Sequence, residues 1–226
     1  SPPRRSTDRL APPQAGAVVF DFGGVLITTI ANQVGKVAAS HDVEKHVMHE
    51  VLLGPRSSGD HPWHCAERGE LPVADIQSQL APWAAASGVE LHGDEISRLL
   101  AAGEYTVIDE MVECVADVRA AGLLTGLLTN TFNEFHPTLE RDLDLSMFDA
   151  VIESCAVGTR KPEAAIYLAT AAILEVPHDQ IVYLDDFEQN LEPATSLGWT
   201  TILVIDPAAA ITEVRSILGG SGYDPK

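Results

Sequence analysis

Five short apolar runs, spaced so that helical stretches fit between the later ones, constrain this chain more than any other feature. They are Ala17–Phe20, Leu124–Leu128, Ala150–Ile152, Ile181–Leu184 and Thr201–Ile205. Each is the length of a strand and bounded by turn-forming residues. Across Asp109–Ala121 the apolar residues Met111, Val112, Val115 and Val118 recur at helical spacing, with Gly122 placed to end the helix. Pro162 stands where the first turn of another helix would begin, with Ile166, Tyr167, Ile173 and Leu174 marking its buried face. Pro193 is tolerable only in a first turn, which sets a last such start near Gln189–Leu191. Strands alternating with helices predict an α/β fold, a doubly wound parallel sheet covered on both faces.

One interval breaks the rhythm. Between Ile30 and Tyr105 only helix-like stretches occur, at Ala31–Leu53, Val73–Ser87 and Asp94–Gly103. The predicted organisation is an α/β core over 17–31 and 105–219, with an inserted α-helical cap over 32–104 that would sit above the strand ends. Residues 1–16, rich in proline, read as a disordered arm, and 220–226 as a flexible tail.

In open α/β sheets, ligands bind beyond the carboxyl ends of the strands. The first strand runs into Asp21, followed by Gly23 and Gly24; the second runs into Thr129-Asn130-Thr131. Arg160-Lys161-Pro162 follows the third, and the fourth ends in Asp185-Asp186 with Asn190 beyond it. Taken alone, Asp21 reads equally as a turn cap or as a nucleophile and hard-metal ligand. The collected carboxylates, lysine and hydroxyl decide for chemistry on a phosphoryl group. Carboxylates can hold Mg2+, Lys161 neutralises phosphoryl charge, and Thr129 with nearby amides holds its oxygens.

The segments VVFDFGGVL, GLLTNT, TRKPEAAIY and VYLDDFEQN, in this order, resemble the four motifs of the haloacid dehalogenase (HAD) superfamily. The most similar branch holds the phosphatase-like N-terminal domains of soluble epoxide hydrolases and their bacterial relatives. The run Trp63–Leu71 resembles the E-R-G-E-[IL] turn of that branch's helical cap. The resemblance implies a Rossmann-like core and a Mg2+-dependent phosphatase acting on a small phosphorylated metabolite through an aspartyl phosphate on Asp21. It assigns catalysis to Asp21, Thr129 and Lys161. The metal falls to Asp21, the Gly23 carbonyl and Asp186, with Asp185 nearby or acting through a water. Asn190 supports them, while Asn130, Gly24, Arg160 and His64 are candidates for binding phosphate or substrate.

Gly23 departs from the pattern, because family phosphatases carry an aspartate there that protonates the leaving oxygen and activates water. Such acid–base help is worth about 10²–10⁴-fold. Three consequences stay open: Glu67, His64 or Asp185 substitutes; the leaving group is a good one; or the domain mainly binds phosphate esters with weak turnover. A metal-independent 2-haloacid dehalogenase is a further alternative. It is disfavoured because those enzymes carry an aromatic residue at the Gly23 position and because Asp185-Asp186 would crowd a metal-free site with charge.

Composition narrows the partners. Fourteen Lys and Arg against 33 Asp and Glu give a formal charge of −19, which excludes a basic nucleic-acid footprint and disfavours an anionic membrane surface. Three scattered cysteines, Cys65, Cys114 and Cys155, and the lack of a long apolar run point to a reducing, cytoplasmic setting. Oligomeric state is not legible. His41, His46 and His49 lack the spacing of a zinc site, Trp63 and Trp83 read as cap core, and Cys155 as a small buried hydrophobe rather than a nucleophile. Asp142 and Asp144 read as solvated acids.

Overall fold

The structure, a computed structural model, describes residues 15–28, 31–55, 59–101 and 105–220. Most of the expected arm and tail, and Gly103 at the end of one expected helix, lie outside the described residues. The last two arm residues belong to the core: Gly16 N–H donates to the Gln180 carbonyl at 2.8 Å, and its own carbonyl accepts from Leu124 at 3.0 Å.

Five parallel strands form one sheet: β1 (Ala17–Phe20), β2 (Leu124–Thr129), β3 (Ala150–Glu153), β4 (Ile181–Asp185) and β5 (Thr200–Leu203). Their spatial order is β3-β2-β1-β4-β5, which puts β1 at the centre with Phe20 level with Leu127 and Leu184. Side chains alternate across the pleat, so both faces of β1 are buried. Val18 and Phe20 pack with Leu127, Val182 and Leu184 against α7 (Asp109–Ala120) and α12 (Pro207–Gly220). Ala17 and Val19 face Leu128, Ile152 and Tyr183 beneath α10 (Ala164–Leu174) and α11 (Glu188–Ser196). The result is the predicted doubly wound sheet, with shorter helices α8 (His136–Asp142) and α9 (Ser154–Val157) at its β2–β3 side.

Between β1 and α7 every described helix is of a separate layer: α1 (Ala31–Ser40), α2 (Lys45–Leu53), α3 (Pro62–Glu67), α4 (Val73–Gln79), α5 (Ala81–Ala86) and α6 (Glu95–Ala101). Val34, Met48, Leu52, Trp63, Ile76, Leu80 and Leu99 make its own apolar cluster, which closes on Phe132 from the loop after β2.

Several boundaries differ from the sequence reading. Ala31–Leu53 is two helices, broken where Asp42 takes φ +55°. Val73–Ser87 is also two, because Pro82 opens a new helix and brings no N–H to continue the old one. Pro162 lies ahead of α10, not inside its first turn. The Glu163 carboxylate accepts from Thr159 Oγ1 and from Arg160 N–H, closing a turn before the helix starts. Ile173 is 52% exposed rather than buried. Helix α11 begins at Glu188, ahead of the expected start, because Asp185 Oδ1 accepts the Phe187 N–H at 2.8 Å and fixes the entry; Pro193 is thereby carried past the first turn. Strand β5 stops at Leu203, and Asp206 starts α12 by accepting from Ala208 N–H.

Candidate active site

The register of the sheet brings the strand ends together. Asp21 follows Phe20 and donates its N–H to the Leu184 carbonyl at 2.9 Å, so it lies beside Asp185 at the tip of β4. Thr129 ends the neighbouring β2 and is buried. The loop carrying Lys161 comes over the same edge, and the Lys161 ammonium sits 2.7 Å from both Asp21 Oδ1 and Asp185 Oδ2.

Asp21 Oδ1 also accepts the Phe22 N–H at 2.7 Å, which fixes the carboxylate plane. Among the described residues no hydrogen-bond donor reaches Oδ2. The chain after Asp21 turns tightly, with Leu26 and Ile27 N–H groups bonding the Phe22 carbonyl. Gly24 has φ +79°, and a Cβ there would overlap the Asp186 carboxylate. Only glycine allows β1's loop and Asp186 to approach this closely. Gly23 is different: a Cβ there would meet nothing within 4 Å.

Asp185 is fully engaged. Its oxygens accept from Lys161, the Tyr183 hydroxyl, Asn190 Nδ2 and Phe187 N–H. Burial and the adjacent Asp185 push the Tyr183 hydroxyl pKa well up, so it stays a donor. Asp186 is the opposite case: its Oδ1 is buried with no partner. One oxygen from each of Asp21, Asp185 and Asp186 lies within 4.8 Å of the others. Burial first, then Asp185, raises the Asp186 carboxyl pKa to about 7; Lys161 opposes this. Burial likewise raises Asp21 well above its ordinary value against the pull of Lys161, while Asp185 and Asp186 add to the rise. Burial alone would lower the Lys161 ammonium, but Asp185 and Asp21 hold it above the usual lysine range. Three carboxylates facing one ammonium leave a deficit of about two positive charges, and the donors are hard oxygens. The set fits a divalent cation such as Mg2+.

Asn130 serves the scaffold. Its side chain accepts the Lys161 N–H at 2.8 Å and donates to the Lys161 carbonyl at 3.0 Å. The Ser154 hydroxyl, which the sequence reading passed over, bonds Thr131 N–H at 2.9 Å and ties β3 to the same loop.

A cavity of about 290 Å³ opens above these groups. Asp21, Gly23, Thr129, Lys161 and Asp186 form its floor, and Leu53, Trp63, Leu99 and Phe132 belong to its apolar walls. Helix α3 contributes His64 and Glu67 to the lining. His61 caps that helix, its Nδ1 accepting from Trp63 N–H at 3.2 Å, and Pro62 follows in the first turn. Glu67 accepts from Trp63 Nε1 at 2.9 Å and from Arg160 Nε, across 93 positions of sequence. Arg160 is thus paired through Nε with a buried cap acid, and it also belongs to the cavity lining. Burial first, then Arg160, His61 and Arg68, lowers His64 to about 3, so its imidazole is neutral. Next to this helix, Gly69 (φ +74°) packs where a Cβ would strike the Cys155 carbonyl, and Arg68 reaches Glu163 at 3.2 Å. Cys155 is half-buried, and burial raises its thiol pKa, which makes it a poor nucleophile. His41 stands apart from the cavity, bonded to Glu95 at 3.2 Å.

A parallel sheet gathering acids and one buried lysine at its strand ends, under a helical layer, defines an α/β enzyme built to receive an anionic group. The haloacid dehalogenase-like hydrolase profile matches residues 15–198, and the chain belongs to that family of hydrolases. It is 31% identical to acyl-CoA dehydrogenase family member 10 of Mus musculus over 209 residues, 90% of this chain and 19% of that protein. It is 37% identical to bifunctional epoxide hydrolase 2 of Rattus norvegicus over 116 residues, 48% of this chain and 21% of that protein. The chain therefore spans about a fifth of the length of these relatives. The sesquiterpene phosphatase astK of Aspergillus oryzae is 24% identical over 90% of this chain and 96% of its own. Among solved structures, a predicted HAD-like hydrolase from Porphyromonas gingivalis superposes with a TM-score of 0.65 at 22% identity, covering 90% of this chain and 98% of that one. A HAD family enzyme from Bacteroides thetaiotaomicron, in complex with magnesium and inorganic phosphate, gives 0.59 at 17% identity, covering 84% and 93%. Among the described residues no helix is long and apolar enough to cross a membrane.

Proposed function

We propose that this hydrolase is a Mg2+-dependent phosphatase of small phosphorylated metabolites. The observation that carries the reading is the Lys161 ammonium held 2.7 Å from both Asp21 and Asp185, beside an Asp186 oxygen with no partner. The sesquiterpene phosphatase relative and the neighbouring fold bound to magnesium and phosphate support it.

Asp21, Asp186 and the Gly23 carbonyl would hold Mg2+, with Asp185 behind them; when bound, the metal screens the carboxylates and polarises the phosphoryl oxygens. Lys161 neutralises a further part of the phosphoryl charge, and Thr129 offers its hydroxyl to an equatorial oxygen. The Phe22 N–H and Lys161 hold one oxygen of Asp21, which leaves Oδ2 to attack phosphorus. The new O–P bond forms as the ester P–O bond breaks and the alcohol oxygen leaves with the bonding pair. Water then attacks the aspartyl phosphate, releasing inorganic phosphate and restoring the carboxylate.

The leaving oxygen needs a proton, and Gly23 has none to give. Asp185 is spent on four donors, Glu67 on Arg160 and Trp63, and neutral His64 is a weak acid source. This favours esters with good leaving groups, such as acyl, aryl or anomeric phosphates. Gly23 also favours a second reading: a phosphate-ester binding or regulatory domain with weak turnover. Phosphate release from an aryl phosphate and a panel of sugar phosphates tests both. Binding without metal-dependent release would select the second.

A further inference from the structure

One oxygen from each of Asp21, Asp185 and Asp186 lies within 4.8 Å of the others, so Asp185 stands close enough to share a cation with its neighbours. Its oxygens are nevertheless occupied. Oδ1 accepts from Phe187 N–H at 2.8 Å and from Asn190 Nδ2 at 3.0 Å. Oδ2 accepts from Lys161 Nζ at 2.7 Å, from Asn190 Nδ2 at 3.1 Å and from the Tyr183 hydroxyl. A carboxylate offers about four lone-pair sites, and these donors fill them. Asp186, by contrast, keeps an oxygen without a partner.

Tyr183 is the donor to which the proposed chemistry gives no task. Side chains two apart on a strand share a face, so Tyr183 points to the same side of β4 as Asp185, and its hydroxyl reaches that carboxylate. The side chain is fully buried, and its ring meets Tyr167 and Trp199 edge-on with centroids 6.0 and 5.8 Å away. The Lys161 ammonium lies 5.8 Å from the centre of the same ring. These contacts fix where the hydroxyl stands, on the Asp185 oxygen that also faces Lys161. Phenylalanine would fill the same space in the core and leave one lone pair of Asp185 open. The hydroxyl therefore acts on the carboxylate, not on the packing.

We propose that Tyr183 is a positioning residue: its hydroxyl keeps Asp185 turned to Lys161 and withholds that carboxylate from the cation. One acid of the three then serves to place the lysine. Without the hydroxyl, Asp185 Oδ2 regains a lone pair close to the oxygens of Asp21 and Asp186, and a divalent ion competes with the ammonium for it. The cation would be held more tightly and the lysine less firmly. The inference rests on the phosphatase reading for Mg2+ and for the task of Lys161, and deepens it by naming what divides the work of the three acids.

The test compares Tyr183→Phe, which removes the hydroxyl and keeps the ring, with Tyr167→Phe as control. The Tyr167 hydroxyl belongs to the same buried cluster but bonds the Asn190 carbonyl at 2.7 Å. Calorimetry of Mg2+ titrated into each protein without substrate reads the cation alone, with folding checked by circular dichroism. Tyr183→Phe should bind Mg2+ about three- to tenfold more tightly than wild type, since the charge of the ligand set tunes affinity for hard cations. Its kcat for an aryl phosphate should fall about tenfold or more, because a small displacement of a charge-stabilising group slows the step. Tyr167→Phe should leave Mg2+ affinity unchanged. A hydroxyl that only completes the core would weaken both properties or move neither. Mg2+ affinity unchanged or weakened in Tyr183→Phe, an equal rise in Tyr167→Phe, or tighter Mg2+ with unchanged kcat in an active enzyme would overturn the proposal. Tighter Mg2+ in Tyr183→Phe, with no phosphate release by wild type from any ester, would leave the withholding of Asp185 standing and remove the phosphatase reading.

Discussion

Asn130 holds Lys161 by its backbone, accepting the lysine N–H at 2.8 Å and donating to its carbonyl at 3.0 Å. The contact joins the end of β2 to the loop before α10 and sets where the ammonium emerges. Asn130→Ala should leave two peptide groups unpaired in a part-buried loop, at a cost of about 1–3 kcal/mol in urea unfolding. It should also lower kcat by about 10–100-fold with little change in KM, since small displacements of a charge-stabilising group are costly. A variant with unchanged kcat would mean the grip does not position the lysine.

Gly23 offers the sharpest gain-of-function test. Space for a side chain exists there, since a Cβ meets nothing within 4 Å, and the position lines the cavity. Gly23→Asp should raise kcat for esters with poor leaving groups by about 10²-fold or more, the usual scale of acid–base assistance. Aryl phosphates should gain much less. Equal gains for both classes would point away from proton transfer to the leaving oxygen.

Asp186 predicts a pH dependence in the metal-free protein. Its carboxyl titrates near 7 in the folded chain against an ordinary 3.8. Between those values the folded state binds more protons than the unfolded one, so stability falls as pH rises. Thermal melts in EDTA should therefore drop as pH rises from about 4 to about 7 more steeply for wild type than for Asp186→Asn. Added Mg2+ should restore stability most strongly at the upper end of the window. Parallel melting curves for the two proteins would contradict the assignment.

The inner strands β1, β2 and β4 were legible because each is apolar on both faces and ends abruptly in a polar residue, and Asp21, Thr129 and Asp185 fall at those ends. Ile173 misled because it stands at the edge of the face of α10 that Ile166, Thr170, Ala171 and Leu174 bury, and spacing does not say how wide the covered face is. The breaks at Asp42 and Pro82 are local, and Pro82 was visible; Asp42 at φ +55° was not, since aspartate occupies many other conformations. Roles set by distant contacts left no local signal. Glu67 meets Arg160 across 93 positions, and Asn130 meets Lys161 across 31. Nothing in Arg160-Lys161-Pro162 shows that one cation turns to the helical layer and the next to the strand ends.

The most direct measurement is phosphate release from an aryl phosphate by wild type and Asp21→Asn, each with Mg2+ and with EDTA. The account predicts release by wild type with Mg2+ alone, at least about 10³-fold above the other three conditions, since a lost nucleophile or metal removes several kcal/mol of barrier lowering. Release that persists in EDTA or in Asp21→Asn would contradict it. So would a folded wild type that binds phosphate with Mg2+ and releases none.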